Sequence, residues 1–311
     1  MKTYCKILFI SSCLYAQIDY GFEFSKGGLA GFQFLKIETS AVSQSLSGAF
    51  ATASKDSRSI HNNVSRMSKS SKFSFSVSNQ DWLSNSKVSS ASISYRIGNS
   101  VFGFNLVSFK IKEFEETTVR SPMGTGRKVS AGNNLIGFGL ARNFTDKLSL
   151  GMQLKYVEER LDNYSYNNIM FDFGSNFKTG FRDIDLAFVF QHIGPDVTPL
   201  NTKFRSPLMF RIGASDYIFK SSLLNCLTIF ELVHPTDSED YIVIAQEYNY
   251  KNKLLFRIGN KLKKESLGLS LGFGIEELKL RGGNKVSLDY GILFAKDLFQ
   301  DLHSFSISFN K

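Results

Sequence analysis

The sequence closes on His303-Ser-Phe-Ser-Ile-Ser-Phe-Asn-Lys311, where Phe305, Ile307 and Phe309 alternate with Ser304, Ser306 and Ser308. Side chains of an extended strand point to opposite faces in turn, so this segment has one bulky apolar face and one face of small hydroxyls. The pattern recurs upstream, most cleanly in Leu148, Leu150, Met152, Leu154 and Tyr156 set against Ser149, Gly151, Gln153 and Lys155. Lipid offers no hydrogen bonds, so a sheet that crosses it must close on itself. Residues 302–309 are therefore expected to be a closing strand that pairs with the first.

From Lys72 onward such segments can be counted, from Phe73, Phe75 and Val77 through Ala91–Ile97 and Phe102–Leu106 to Val286–Ile292 and Phe305–Phe309. About fourteen result, an even number as bacterial barrels require. The stretch Leu223–Val233 has no clear facing. A soluble β-sandwich also alternates. Here, however, the polar phase is rich in Gly and Ser rather than Lys and Glu, which suits a crowded lumen. The expected fold is an all-β transmembrane antiparallel barrel. No run approaches the ~18 apolar residues of a membrane helix.

Lys2 and Lys6 precede a short apolar stretch ending at Ala16, which reads as a signal peptide over residues 1–16. Ile10-Ser-Ser-Cys13 offers an alternative, lipoprotein-type cleavage site. Cleavage at Ala16 leaves Cys226 as the one cysteine, which excludes an intramolecular disulfide or a cysteine zinc site. The formal charge is +9, or +7 without Lys2 and Lys6, and it is dispersed. Nucleic acid is therefore not an expected partner.

Residues 17–70 lack alternation and are rich in Gly and Ser, which permit close backbone approach. They read as an N-terminal plug with short helical turns, or else as a disordered periplasmic leader. Residues 71–311 form the barrel. With both termini on the periplasmic side, the loops 112–132 and 193–205 face outside, and the turns 98–100, 143–146 and 250–252 face inside. The connection 276–284 is long for an inside turn.

Gly268-Leu-Ser270-Leu-Gly272 fits a nucleophile-elbow pattern, but it sits mid-strand, where the required strand-turn-helix bend has no place. Ser270 reads as a small luminal residue. His61, His192, His234 and His303 lack ligand spacing, so neither enzyme activity, metal nor cofactor is expected. The inward phase does carry charges: Arg96, Arg211, Glu231, Glu247, Arg257 and Asp289. They read as a luminal ladder that fixes the barrel and its plug, or as a filter for a polar partner.

Ala30-Gly-Phe-Gln-Phe-Leu-Lys-Ile37 is followed by Ser47-Gly-Ala-Phe-Ala-Thr-Ala53, then by Asp56, Ile60 and Asn63. Further on stand Ile193-Gly-Pro-Asp196, Gln246-Glu-Tyr248 and Phe256-Arg-Ile-Gly259. In this order the segments resemble the PorV/PorQ family of outer-membrane proteins. Phe32, Phe34, Gly48, Asp56 and Asn63 fall in the plug motif. Ser47 replaces the usual first glycine and Asn63-Val-Ser65 replaces Asn-Pro-Ala, so a looser N-terminal turn is expected. The resemblance implies a fourteen-stranded barrel similar to FadL fatty-acid channels, in the bacterial outer membrane. It also implies a role in type IX secretion, with translocon proteins and the C-terminal domains of secreted cargo as partners.

Two functions compete on these grounds. One is a non-enzymatic secretion component that holds its partner on the outer loops through Phe114, Arg120, Met123, Arg127 and Lys128. The other is a FadL-like channel whose hydrophobic ligand enters an apolar pocket near Phe32 and Phe34, which share a face if that segment is extended.

Overall fold

The computed structural model describes residues 30–198, 203–262, 267–279, 283–295 and 300–311, so the expected leader over residues 1–16 lies outside the described residues. Fourteen strands follow one another in chain order. They are β1 (Phe73–Trp82), β2 (Ser86–Ile97), β3 (Ser100–Glu115), β4 (Lys128–Asn143), β5 (Leu148–Leu161), β6 (Tyr164–Lys178) and β7 (Asp185–Ile193). Then come β8 (Met209–Lys220), β9 (Leu224–Pro235), β10 (Tyr241–Tyr250), β11 (Leu254–Leu262), β12 (Leu269–Lys279), β13 (Lys285–Leu293) and β14 (Leu302–Asn310). Each pairs antiparallel with its neighbours, and β1 pairs with β14 to close the barrel. The closing register sets Phe75 opposite Phe309 and Val77 opposite Ile307 on the outside, with Ser76 opposite Ser308 within. Phe75, Phe104, Phe138, Leu154, Phe171, Phe188, Phe256 and Ile307 are among the exposed residues of the outer wall, while Ser74, Ser76, Ser92, Ser304 and Ser306 are buried. That wall suits acyl chains and not water.

We call inner the end where β1 starts and β14 ends, and outer the opposite end. The long connections 116–127 and 194–208 are both at the outer end, while 98–99, 144–147 and 251–253 turn tightly at the inner end. Two expectations are corrected. The loop placed at 112–132 spans only 116–127, because β3 and β4 continue their pairing past a register shift to Glu115 opposite Lys128. The inner connection placed at 276–284 is shorter, because β12 runs through another shift to Lys279. The N-terminus, expected on the same side as the C-terminus, lies outside the described residues; the described plug begins at the outer end, where Ala30 bridges Arg205 and the Phe32 amide donates to Glu159 at the end of β5 (2.9 Å).

From there residues 30–70 run down the bore. A 3-10 turn (Gln33–Lys36) leads to a short helix (Ala41–Ser45), whose first turn is capped by Ser40 through its hydroxyl (3.2 Å from the Ser43 amide). A second short helix (Ser59–Asn62) meets a 3-10 segment (Val64–Lys69) capped by Asn63. Val42, Leu46, Ala49 and Phe50 pack against Leu227, Ile229 and Val233 of β9 and against Val243 and Ala245 of β10. Ile60, Val64 and Met67 pack against Val101 and Ala141. Contact with plug backbone requires glycine in the wall, as two positions illustrate. A Cβ on Gly259 would stand 2.4 Å from the Leu46 carbonyl carbon, and one on Gly151 would stand 2.5 Å from the Ser65 amide nitrogen.

Candidate functional site

At the outer end the inward face of the wall changes character. Along β3 the inward residues are Val101, Gly103 and Asn105, then Val107, Phe109 and Ile111. Val88 of β2, Leu135 of β4, Val157 of β5 and Met170 of β6 join Val107 in a buried apolar cluster with Phe32 and Phe34 of the plug. Phe32 adopts φ 54 and starts the 3-10 turn, so the two phenylalanines do not share an extended face. The turn still directs both into one cluster.

Above this floor opens a cleft of about 490 Å³ between the plug and the strand ends. Its apolar sides are Phe34, Ile37, Trp82, Phe109, Leu161 and Tyr241, and Lys36, Glu159 and Lys261 stand among them. Pockets of this size and lining suit small organic ligands held by a few fixed polar groups. The plug turn is tied in place, because Asp237 pairs with the Lys36 ammonium and accepts from Gln33 Nε2 (2.6 Å). Burial pushes the Asp237 carboxyl up, but the hydrogen bonds from Lys36 and Gln33 outweigh it and hold it below the ordinary aspartate value.

Below the floor lies a polar cavity of about 30 Å³, near the size that one water needs. Lys155 on β5 donates to Asp172 (2.7 Å) and to Nδ1 of His192 (2.6 Å). His192 adopts φ 63 where β7 shifts register against β6, and its amide donates to Asp172 (2.7 Å). His61 of the plug reaches the same cavity, where its Nδ1 meets the Asn105 side-chain amide (3.1 Å). It is enclosed by protein, and its remaining exposure is to this cavity. Burial first, and then the Lys155 ammonium, push the His61 imidazole down to about 4, against a smaller upward pull from Glu38.

The inward charges do not make one ladder. Arg211 pairs with the fully buried Glu231 (2.9 Å), reaches Glu38 of the plug (3.5 Å) and donates to the Gly48 carbonyl (3.0 Å). Arg257 pairs with Glu247 and with Asp289 (2.7 Å each), and Asp289 also accepts from Arg58, which holds Asp56. The plug joins both groups, because β9 and β10 place Glu231 opposite Val243 and Glu247 opposite Leu227, several residues apart. Arg96 belongs to neither; it donates to the carbonyls of Ser68 (2.6 Å) and Ser70 (2.7 Å) where the plug enters β1.

In the plug motif, Ser47 takes φ 52 and Gly48 takes φ 87. The Ser47 hydroxyl bonds Ser270 (2.7 Å) and donates to the Gly268 carbonyl (2.8 Å), which fixes Ser270 as a contact of the plug. Asn63 accepts from the Ser65 amide (3.1 Å) and donates to the Ala51 carbonyl (2.9 Å). Phe114 and Lys128 lie on strands and not in the loop. Arg127 pairs with Glu116 (2.8 Å) and Asp162, and Met123 is 96% exposed. Trp82, Phe109, Tyr241 and the Lys155–Asp172–His192 group were not anticipated from the sequence. Val107, Phe109 and Ile111 held the signal, since they turn the small inward phase of β3 apolar.

No family model matches the sequence, and no curated protein is detectably similar to it. Among solved structures, the toluene transporter TbuX of Ralstonia pickettii superposes with a TM-score of 0.65 at 14% identity, over 89% of this chain and 99% of that one. The monoaromatic hydrocarbon channel CymD gives 0.59 at 14% identity, over 92% and 98%. A FadL homologue of Pseudomonas aeruginosa gives 0.54 at 11% identity, over 87% and 97%. The chain has the FadL-like fold, a closed antiparallel barrel of fourteen strands.

Proposed function

We propose that the protein is a non-enzymatic barrel of the bacterial outer membrane that admits hydrophobic small molecules at its outer mouth. The observation that carries this reading is the apolar cleft between Phe34, Trp82 and Phe109, set over a floor of buried phenylalanine, valine and leucine. The solved barrels of like fold include a toluene transporter and a monoaromatic hydrocarbon channel, which supports a ligand of that class. Trp82 is the chain's single tryptophan and lines the cleft, so its emission reports occupancy. Titration of the detergent-solubilised barrel with toluene and with a long-chain fatty acid is expected to give a saturable change with at least one. A flat response to both overturns the reading.

The PorV/PorQ-type secretion role is a second reading, and one observation favours it. Val119 and Met123 are almost wholly exposed on the outer loop 116–127, as anchors for a protein partner would be. Affinity capture with the solubilised native barrel tests this reading, which fails if neither translocon proteins nor cargo domains are recovered.

A further inference from the structure

On the lipid-facing wall near the inner end, a cleft of about 450 Å³ is cut into the rows of phenylalanine. Its walls include Leu140, Met152, Phe173, Phe188 and Phe190, and Ser175 lies at its base. The outward residues of β6 run Phe171, Phe173, Ser175 and Phe177, so the gap exists because a serine stands where its neighbours carry rings. One rim is made by Arg142 and Phe144, with the guanidinium 5.8 Å from the ring centroid.

Arg142 faces outward one residue before the end of β4, beside the apolar band. A cation on the lipid face is costly at mid-bilayer and nearly free at the interface, where a long side chain reaches the headgroups. Among the described residues no carboxylate lies within ion-pair range of Arg142. Toward β7 and β8 the inner-end acids are paired, Asp183 with Lys220 (2.5 Å), Asp216 with Arg182 (2.9 Å) and Asp185 with Arg66 (2.8 Å), which leaves Asp146 as the acid of the turn that follows Arg142. Lys147 on that turn is joined through its backbone carbonyl to the amide of Lys178 at the end of β6 (2.8 Å), so that three cations stand against Asp146. The rim is thus basic, and the groove beneath it is apolar and open to acyl chains.

We infer that this groove is a specific site for an anionic phospholipid of the inner-end leaflet. One acyl chain lies over Ser175, and the phosphate sits on Arg142, whose planar guanidinium suits phosphate oxygens. The site is independent of whatever ligand the outer mouth takes.

The test uses the full barrel in nanodiscs of equal phosphatidylglycerol and phosphatidylcholine, with retained lipid read by native mass spectrometry. The wild type is expected to keep phosphatidylglycerol in preference by about fivefold, the scale of one cation near a membrane surface. Arg142→Gln brings the ratio close to one. Ser175→Phe fills the groove and lowers retention of both lipids, while heat-modifiable migration verifies that each variant is folded. Equal retention by the wild type overturns the inference, as does a preference that survives both substitutions. It is also overturned if Arg142→Gln leaves lipid retention intact and abolishes binding of polyglutamate, which would make the rim a docking point for acidic protein.

Discussion

Arg58 in the plug and Asp289 on β13 face each other at 2.8 Å, and the other oxygen of the same carboxylate accepts from Arg257 of β11 at 2.7 Å. One carboxylate therefore bridges a cation of the wall and a cation of the plug, whose other partners are Glu247 and Asp56. All three side chains are almost completely withdrawn from solvent. Breaking a buried pair by removing one partner costs more than the pair contributes, because the remaining charge is left without compensation.

Arg58→Met is accordingly expected to destabilise the seated plug by about 3–5 kcal/mol, because Arg257 still serves Asp289 but the buried Asp56 loses the cation that pairs with it. Limited trypsin digestion of the purified barrel checks this. Cleavage after Arg66 and Lys69 should accelerate strongly in the variant, while the strands stay resistant. Unchanged digestion would mean that the apolar contacts of Val42, Leu46 and Phe50 hold the plug without the ion pairs.

The close approach of plug and wall gives a second expectation. Gly259→Ala places a methyl 2.4 Å from plug backbone at Leu46, which has to move. Gly213→Ala meets side chains alone and none closer than 3.3 Å: Thr52 at 3.3, Ala51 at 3.5 and Glu231 Oε2 at 3.7 Å. Overpacking costs about 1–3 kcal/mol where the neighbour cannot yield. The urea midpoint should fall for the first variant and stay close to wild type for the second.

Much of the barrel was legible because its outer face answers to lipid alone. Wherever a strand has Gly or Ser inside and Phe or Leu outside, as β5 and β14 do, the period of two is visible in the residues. β9 was not legible for a physical reason. Its inward Leu227, Ile229 and Val233 are the core against the plug, so both faces are apolar and the alternation vanishes. The inward charges could be placed on a face, with Arg211 and Glu231, and Glu247 and Arg257, on neighbouring strands, but their links to Glu38 and Arg58 could not be seen, because these come from plug residues more than 150 positions away. The mouth was hidden likewise, since Trp82, Phe109 and Tyr241 converge only when the sheet closes. Phe32 and Phe34 were singled out on the expectation of a shared extended face, which the 3-10 turn at Gln33–Lys36 does not provide.

His61 supplies a pH dependence. Its imidazole is held at about 4 in the folded protein against an ordinary value of 6.5, so between those values the unfolded chain binds a proton that the folded one does not. The contribution is complete above about pH 6.5 and is lost as the pH falls toward 4. It amounts to about 2 kcal/mol by pH 5, from 1.36 kcal/mol per unit. Unfolding measured in urea at pH 7.5 and pH 5 should show a smaller loss for His61→Asn than for the wild type. Equal losses would assign the acid sensitivity to other groups.

The mouth cleft and the outer loop predict opposite outcomes for two substitutions. Phe34 is buried between the cleft and the cluster with Val107 and Leu135, so Phe34→Ala removes apolar surface from any ligand seated there. Burying a side chain of this size is worth about 1.5–3 kcal/mol. The affinity for toluene, followed through Trp82 emission, should therefore fall by roughly ten- to hundredfold. Met123→Ser on the loop 116–127 changes a residue outside the cleft and should leave that titration unaltered. If capture of a secreted protein is lost with Met123→Ser, and toluene alters Trp82 emission in neither protein, the outer loop is the functional surface and the cleft is only the gap between plug and wall.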